Sequence, residues 1–147
     1  MRRSDPHDDL RGAIGRLCAG FPGDYWRRLD TERAYPTAFV QALTEGGYLA
    51  ALIPEAYGGA GLPLSATAAI LEEIHAQGCN GAACHAQMYI MGTILHHGSE
   101  AQKAQYLPGI ASGDLRLQAF GVTEPTSGTD TTSLRTTARR DGDTYVI

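Results

Sequence analysis

The sequence predicts a mainly α protein: an N-terminal helical-bundle domain over residues 1–113, then from residue 114 the first strands of a β-barrel-like domain truncated within its sheet. Three observations carry this expectation. Apolar residues recur at helical intervals in successive segments between Leu10 and Leu107. From Leu115 the period falls to two, as Leu115, Leu117 and Ala119 alternate with Arg116, Gln118 and Phe120. Finally, Leu134–Arg140 and Thr144–Ile147 flank Asp141-Gly142, a hairpin-turn signal. A lone hairpin is marginal in water, so its sheet is expected to continue past Ile147.

Taken in order, Leu10, Ala13, Ile14 and Leu17 predict an amphipathic helix ending near Cys18. Phe21-Pro22-Gly23-Asp24 interrupts the chain, and Trp26 to Arg33 is open between helix and loop. Pro36 suits a first helical position; Phe39, Val40 and Leu43 supply the stripe, and Gly46-Gly47 the stop. The run from Tyr48 to Pro63 breaks on Pro54 and then on Gly58, Gly59 and Gly61. It matches neither a dinucleotide fingerprint nor a Walker loop, so a tight turn with positive φ at Gly58 or Gly59 is the better reading.

Ser65 is placed to cap a helix running to about Ala76, with Ala66, Ile70 and Ile74 on one face. The next helix, Ala82 to His97, carries Met88, Met91, Ile94 and Leu95 toward a core, while Ala82, His85 and Tyr89 form a second strip. A His and Tyr strip can line a cavity or simply face solvent. His96-His97 before Gly98 reads as a helix-end cap. Ser99 and Gln102 have capping-box spacing, opening a helix that passes Tyr106 and Leu107; Pro108-Gly109 and Ser112-Gly113-Asp114 close the helical part.

With 147 residues, 43% hydrophobic and 19% charged, the chain can bury one moderate core. A net charge of −4 and the lack of any Lys and Arg cluster in the sequence argue against the basic face that nucleic acid needs. Arg2-Arg3 is followed by no apolar run, so neither a secretory signal nor a membrane span is expected, and the chain reads as cytoplasmic. Cys18, Cys79 and Cys84 fit reduced core thiols. A metal site at Cys79, Cys84 and His85 is not expected, because their spacing matches no common zinc pattern.

The functional signal is concentrated between Gln118 and Ser133, where an apolar approach enters a loop rich in hydroxyls with one glycine and one aspartate. Such a loop offers hydroxyls and open backbone N–H groups to a carbonyl edge or a phosphate. On the residues alone, Thr123 and Thr129 serve equally well as turn caps, and Glu124 as a solvated carboxylate.

Val122-Thr123-Glu124-Pro125 followed by Gly128-Thr129-Asp130 resembles the signature of the acyl-CoA dehydrogenase family. Ile53-Pro54-Glu55 with Tyr57-Gly58-Gly59-Ala60-Gly61-Leu62, Leu71-Glu72-Glu73-Ile74, Gly98-Ser99-Glu100 with Gln102-Lys103, and Tyr106-Leu107-Pro108 follow the family in the same order. The resemblance spans about Pro36 to Ile147. It implies FAD as cofactor, α,β-dehydrogenation of an acyl-CoA thioester to the trans-2-enoyl-CoA, and electron transfer to an electron-transfer flavoprotein. By the same resemblance, Val122 and Thr123 match positions bonding the isoalloxazine edge, and Phe120 an aromatic contact. Gly128 and Thr129 match the pair contacting the FAD pyrophosphate and the neighbouring CoA chain; Thr129 stands where most members have serine.

The strip Ala82, His85, Tyr89 corresponds in relatives to the face lining the acyl cavity, which makes His85, Tyr89 and Thr129 candidate substrate contacts. No catalytic residue is expected in this chain. The family's glutamate base lies in a C-terminal helical bundle, which also completes the FAD site and builds a homo-oligomer, dimer or tetramer; Glu124 is expected to hold the loop. Two alternatives remain at this stage: a non-catalytic remnant that binds a partner, and a fragment of a related flavin monooxygenase or nitroalkane oxidase.

Overall fold

The computed structural model describes residues 5–147. Its helices are α1 (Asp8–Cys18), α2 (Gly23–Glu32), α3 (Thr37–Glu45), α4 (Leu64–Ala76), α5 (Ala82–His97) and α6 (Glu100–Ser112); β1 (Arg139–Asp141) and β2 (Thr144–Val146) follow. The protein is mainly α, as the periodicities predict.

In α1, Asp8 and Asp9 in the first turn and Arg16 in the last complement the helix dipole. Its buried Ile14 and Cys18, four residues apart, face α4. Arg11 ties the two helices, donating to Asp5 at 2.8 Å and to Glu72 at 2.6 Å. The segment left open at Trp26 is helical: α2 runs to Glu32 and stops at Arg33, which takes the left-handed conformation (φ 51°). Its purpose is aromatic packing. Phe21, Tyr25 and Trp26 close edge-to-face around Phe39 of α3, with Phe21–Phe39 and Trp26–Phe39 centroids at 5.1 and 5.0 Å. The Trp26 indole N–H donates to the Phe21 carbonyl at 3.0 Å, so the half-buried ring leaves no orphaned donor.

Two start signals shift. Pro36 precedes α3 instead of occupying its first position. At α4 the residue before the helix is Pro63, and Ser65 lies inside the first turn, its hydroxyl 3.2 Å from His7 Nε2. Proline's fixed φ suffices to launch either helix.

Between α3 and α4 the chain makes two short 3-10 turns, Tyr48–Ala50 and Glu55–Tyr57, and folds back on itself. The N–H groups of Gly58, Gly59, Gly61 and Leu62 donate to Glu55, Pro54, Ile53 and Ala51 carbonyls. These donors are engaged within the turn, as the tight-turn reading expects. Gly58 has φ 85°, whereas Gly59 is required for space: a Cβ there would stand 2.0 Å from the Ile53 carbonyl oxygen. Gly59→Ala is therefore expected to destabilise the chain by roughly 1–3 kcal/mol in thermal denaturation. Gly92→Ala, at a helical site where a Cβ meets nothing within 4 Å, should stabilise it slightly.

The core has two parts. One joins Ile14 and Cys18 of α1, Phe39, Val40 and Leu43 of α3, and Ile70 and Ile74 of α4. The other joins Ala50 and Ile53 to Met91 of α5 and Leu107 and Ile110 of α6, with Met88 touching both. The Ser99–Gln102 capping box forms as expected. Helix α6 then runs through Pro108 to Ser112, because Pro108 and the Ala104 carbonyl it leaves without a partner both lie on the exposed side. Gly113 ends it in the left-handed conformation (φ 86°).

Beyond Gly113, Leu115–Phe120 is not a strand, contrary to its alternating pattern, since its neighbours are helices and among the described residues no strand pairs with it. Side chains dock it instead: Arg116 donates to the Thr44 hydroxyl at 2.8 Å. The hairpin forms with Arg139 opposite Val146 and Asp141 opposite Thr144, turning at Gly142 (φ 59°). Among the described residues no helix is long and apolar enough to cross a membrane.

Candidate functional site

Helix α5 buries Cys84, Gln87 and Met91 and turns His85 and Tyr89 outward; Tyr89 is 53% exposed. Four residues apart on one face, the His85 and Tyr89 rings meet at 4.5 Å. Tyr89 in turn meets Phe120 from the polar-loop approach at 5.5 Å. The structure thus brings together two sets of residues that the sequence keeps thirty positions apart. Beside this aromatic row, a groove of about 690 Å³ runs between α4 and α5, lined by the apolar Leu64, Leu71, Met88 and Leu95 together with His85, Tyr89 and Thr93. A groove lined mainly by apolar side chains with a few polar groups suits an apolar chain carrying a polar end.

The loop after Phe120 is built by its own hydrogen bonds. Glu124 and Ser127 exchange both backbone bonds, at 3.0 and 3.1 Å, around Pro125-Thr126. The Glu124 carboxylate accepts from the N–H groups of Arg135 at 2.8 Å and Thr136 at 2.6 Å, closing the loop onto the chain eleven residues later. Asp130 accepts from the Thr132 N–H at 3.2 Å, the Thr132 hydroxyl at 2.5 Å, and the Ser133 hydroxyl. The buried Ser127 hydroxyl donates to the Asp130 carbonyl. These contacts hold both carboxyls below their ordinary range: the Thr136 hydroxyl and then the two amides for Glu124, and the Ser133 and then Thr132 hydroxyls for Asp130. Both are committed anions that hold the loop.

Val122, Thr123, Gly128 and Thr129 are all exposed on this frame. Among the described residues, none of their N–H groups meets a protein acceptor. A Cβ on Gly128 would meet nothing within 4 Å, so the backbone there is open to close approach. Unengaged amides and hydroxyls around an open glycine fit the carbonyl edge and phosphate oxygens of a dinucleotide.

The cysteines take no part. Burial pushes the Cys84 thiol up to about 12, and burial with the neighbouring Cys79 does the same for Cys18, which leaves them protonated and unreactive. His85 faces outward while Cys84 points inward, and no group of three metal-ligating side chains occurs among the described residues. The His96 and His97 rings are exposed, while the Gly98 N–H donates to Ile94 at the end of α5.

One functional neighbour was missed in the sequence. Gln87 is 1% exposed, with its Nε2 donating to the Leu49 carbonyl at 3.0 Å. The available signal was a glutamine spaced three and four residues from Cys84 and Met91, on the face that must be buried.

The profile of the acyl-CoA dehydrogenase N-terminal domain matches residues 4–114. This chain belongs to the acyl-CoA dehydrogenase family. Acyl-CoA dehydrogenase FadE12 of Mycobacterium tuberculosis (strain ATCC 25618 / H37Rv) is 32% identical over 145 residues, covering 98% of this chain and 37% of that protein. The mitochondrial short-chain specific acyl-CoA dehydrogenase of Rattus norvegicus is 37% identical over 124 residues, covering 82% of this chain and 29% of its own length. Among solved structures, glutaryl-coenzyme A dehydrogenase in its glutaryl-CoA complex superposes with a TM-score of 0.77 at 29% identity, over 99% of this chain and 38% of that one. The chain therefore spans between 29% and 38% of the length of these acyl-CoA dehydrogenases.

Proposed function

We propose that this chain is part of an FAD-dependent acyl-CoA dehydrogenase, with residues 1–113 as the helical domain and 114–147 as the opening of the β-domain. The observation that carries the reading is the Tyr89–Phe120 contact, which joins the groove on α5 to the loop with unengaged donors. On this reading Val122 and Thr123 hold the flavin edge, Phe120 packs against the ring, and Gly128 and Thr129 meet the pyrophosphate. Bound FAD supplies the acceptor for the hydride that leaves the β carbon. The chain's own residues orient that cofactor, and the amides at its edge stabilise charge arriving there. His85, Tyr89 and Thr129 contact the acyl-CoA substrate, whose apolar tail lies along Leu64, Leu71, Met88 and Leu95.

None of the described residues is assigned as the base, because both carboxylates of the motif are engaged, Glu124 by the Arg135 and Thr136 amides and Asp130 by Thr132 and Ser133. Proton abstraction belongs to a partner region, and the proposal extends to a homo-oligomer that passes electrons to an electron-transfer flavoprotein. Three free thiols suit a reducing compartment, here the cytoplasm.

The test is reconstitution. Co-expressed with the C-terminal region of an acyl-CoA dehydrogenase, the chain is expected to co-purify yellow, with FAD that bleaches when acyl-CoA is added without oxygen. A colourless complex, together with no quenching of FAD fluorescence by the chain alone, would sink the proposal.

A further inference from the structure

The approach to the loop has no ladder to fix its register. Between Leu115 and Thr123, the only backbone N–H with a backbone partner among the described residues is that of Leu115, donating to Gly109 at 2.9 Å. A segment held only by its side chains can slide, and a slide of one residue would turn Phe120 away from α5. Something must hold it in place.

Gln118 is the side chain built to do so. Its Nε2 donates to the Ala83 carbonyl at 3.3 Å and lies 3.5 Å from Gln87 Oε1, one helical turn along α5. Its Oε1 accepts at 3.1 Å from the hydroxyl of Tyr35, in the segment that leads into α3. Gln87 is itself fixed, since its Nε2 is committed to the Leu49 carbonyl. With that donor committed, its Oε1 has to be met by a donor, because a buried carbonyl left alone costs about 1–3 kcal/mol. Gln118 supplies that donor. Two residues further on, Phe120 meets Tyr89 on the same helix. The chain of contacts from Leu49 through Gln87 to Gln118 thus ends at the aromatic wall between groove and loop.

We propose that Gln118 is a positioning residue: its side-chain amide, held between Tyr35 and the Ala83–Gln87 turn of α5, fixes where Phe120 meets Tyr89. The function of that wall rests on the flavin reading above; the positioning itself does not.

The experiment uses the full 147-residue chain with labelled Phe and Tyr. The wild type is expected to show a ring-to-ring NOE between Tyr89 and Phe120. Gln118→Ala should lose it, and so should Gln118→Met, which keeps the length of the side chain and removes only the amide. Far-UV circular dichroism should be unchanged, because the substitutions leave the helices' own buried contacts in place, along with the packing of Leu115 and Leu117 against the second core. If Gln118→Ala fails to fold, Gln118→Met decides. Retention of the NOE in Gln118→Met overturns the proposal, since packing alone then suffices. A parallel titration follows quenching of FAD fluorescence, with affinity expected to fall about tenfold in both variants. An NOE lost with FAD affinity unchanged overturns the link between this wall and the cofactor. A wild type that does not bind FAD sinks the flavin reading, and the NOE still decides the role of Gln118.

Discussion

Phe39→Ala is expected to remove about 3–5 kcal/mol of stability, the usual range for truncating a buried aromatic ring. Phe39 is fully buried, and two aromatic neighbours, Phe21 and Trp26, meet its ring edge-to-face at 5.1 and 5.0 Å. Both belong to α2 or the turn before it, and α2 buries no residue of its own completely. The substitution therefore removes the surface on which α2 rests as well as the ring's own burial. The cavity cannot close by side-chain rotation, because Val40 and Leu43 are already packed on the same helix face. A small domain holds about 5–15 kcal/mol in total, so the variant should be largely unfolded at 37 °C or melt at least about 8 °C lower. Phe120→Ala, at a ring 60% exposed, should shift the melting temperature far less. Thermal denaturation followed at 222 nm compares the two; equal shifts would mean that α2 draws its stability elsewhere.

The helices were legible because each buries one stripe and leaves another wet, which is the pattern that periodicity detects. Ile14 with Cys18, Phe39 with Val40 and Leu43, and Ile70 with Ile74 all lie where their spacing puts them. What was not legible followed from context. Pro63 starts α4 in place of the better capping candidate Ser65, whose hydroxyl instead meets His7, the residue before α1 and far away in sequence. Pro108 stays inside α6 because its side of the helix is exposed, which the spacing does not announce. Leu115–Phe120 alternates as a strand does, but alternation records only two faces; a ladder needs a neighbour, and the neighbours of this segment are helices.

At the site, the residue types of the loop were legible while their division of labour was not. Hydroxyls and carboxylates occur side by side from Thr123 to Ser133, and either group can cap a turn or meet a ligand. The hydrogen bonds separate them: Glu124, Ser127 and Asp130 form the frame, while among the described residues the N–H groups and side chains of Val122, Thr123, Gly128 and Thr129 have no protein partner. The approach of Tyr89 to Phe120 was likewise invisible in sequence, because it depends on how Gln118 docks on α5.

Glu124→Ala is expected to weaken FAD binding about tenfold, the equivalent of one ordinary hydrogen bond lost from a preorganised frame. The two amides it holds belong to Arg135 and Thr136, so removing the carboxylate frees the far end of the loop while leaving the helices intact. Glu124→Gln should fall between the two, because one amide oxygen can hold only part of what two carboxylate oxygens hold. The same contact sets a pH dependence with a definite sign. Its hydrogen bonds lower the folded carboxyl below its unfolded value, so the contribution is fully present above the ordinary glutamate range. It is lost as pH falls through the depressed folded value, when the neutral acid no longer attracts both donors. Asp130, shifted the same way by Ser133 and Thr132, should fail over the same acidic range. Amide exchange at Arg135 and Thr136 should therefore stay protected from neutral pH down to mild acid and open below it. In Glu124→Ala it should already be open at neutral pH, and protection retained there would mean that the loop is held by Asp130 and Ser127 alone.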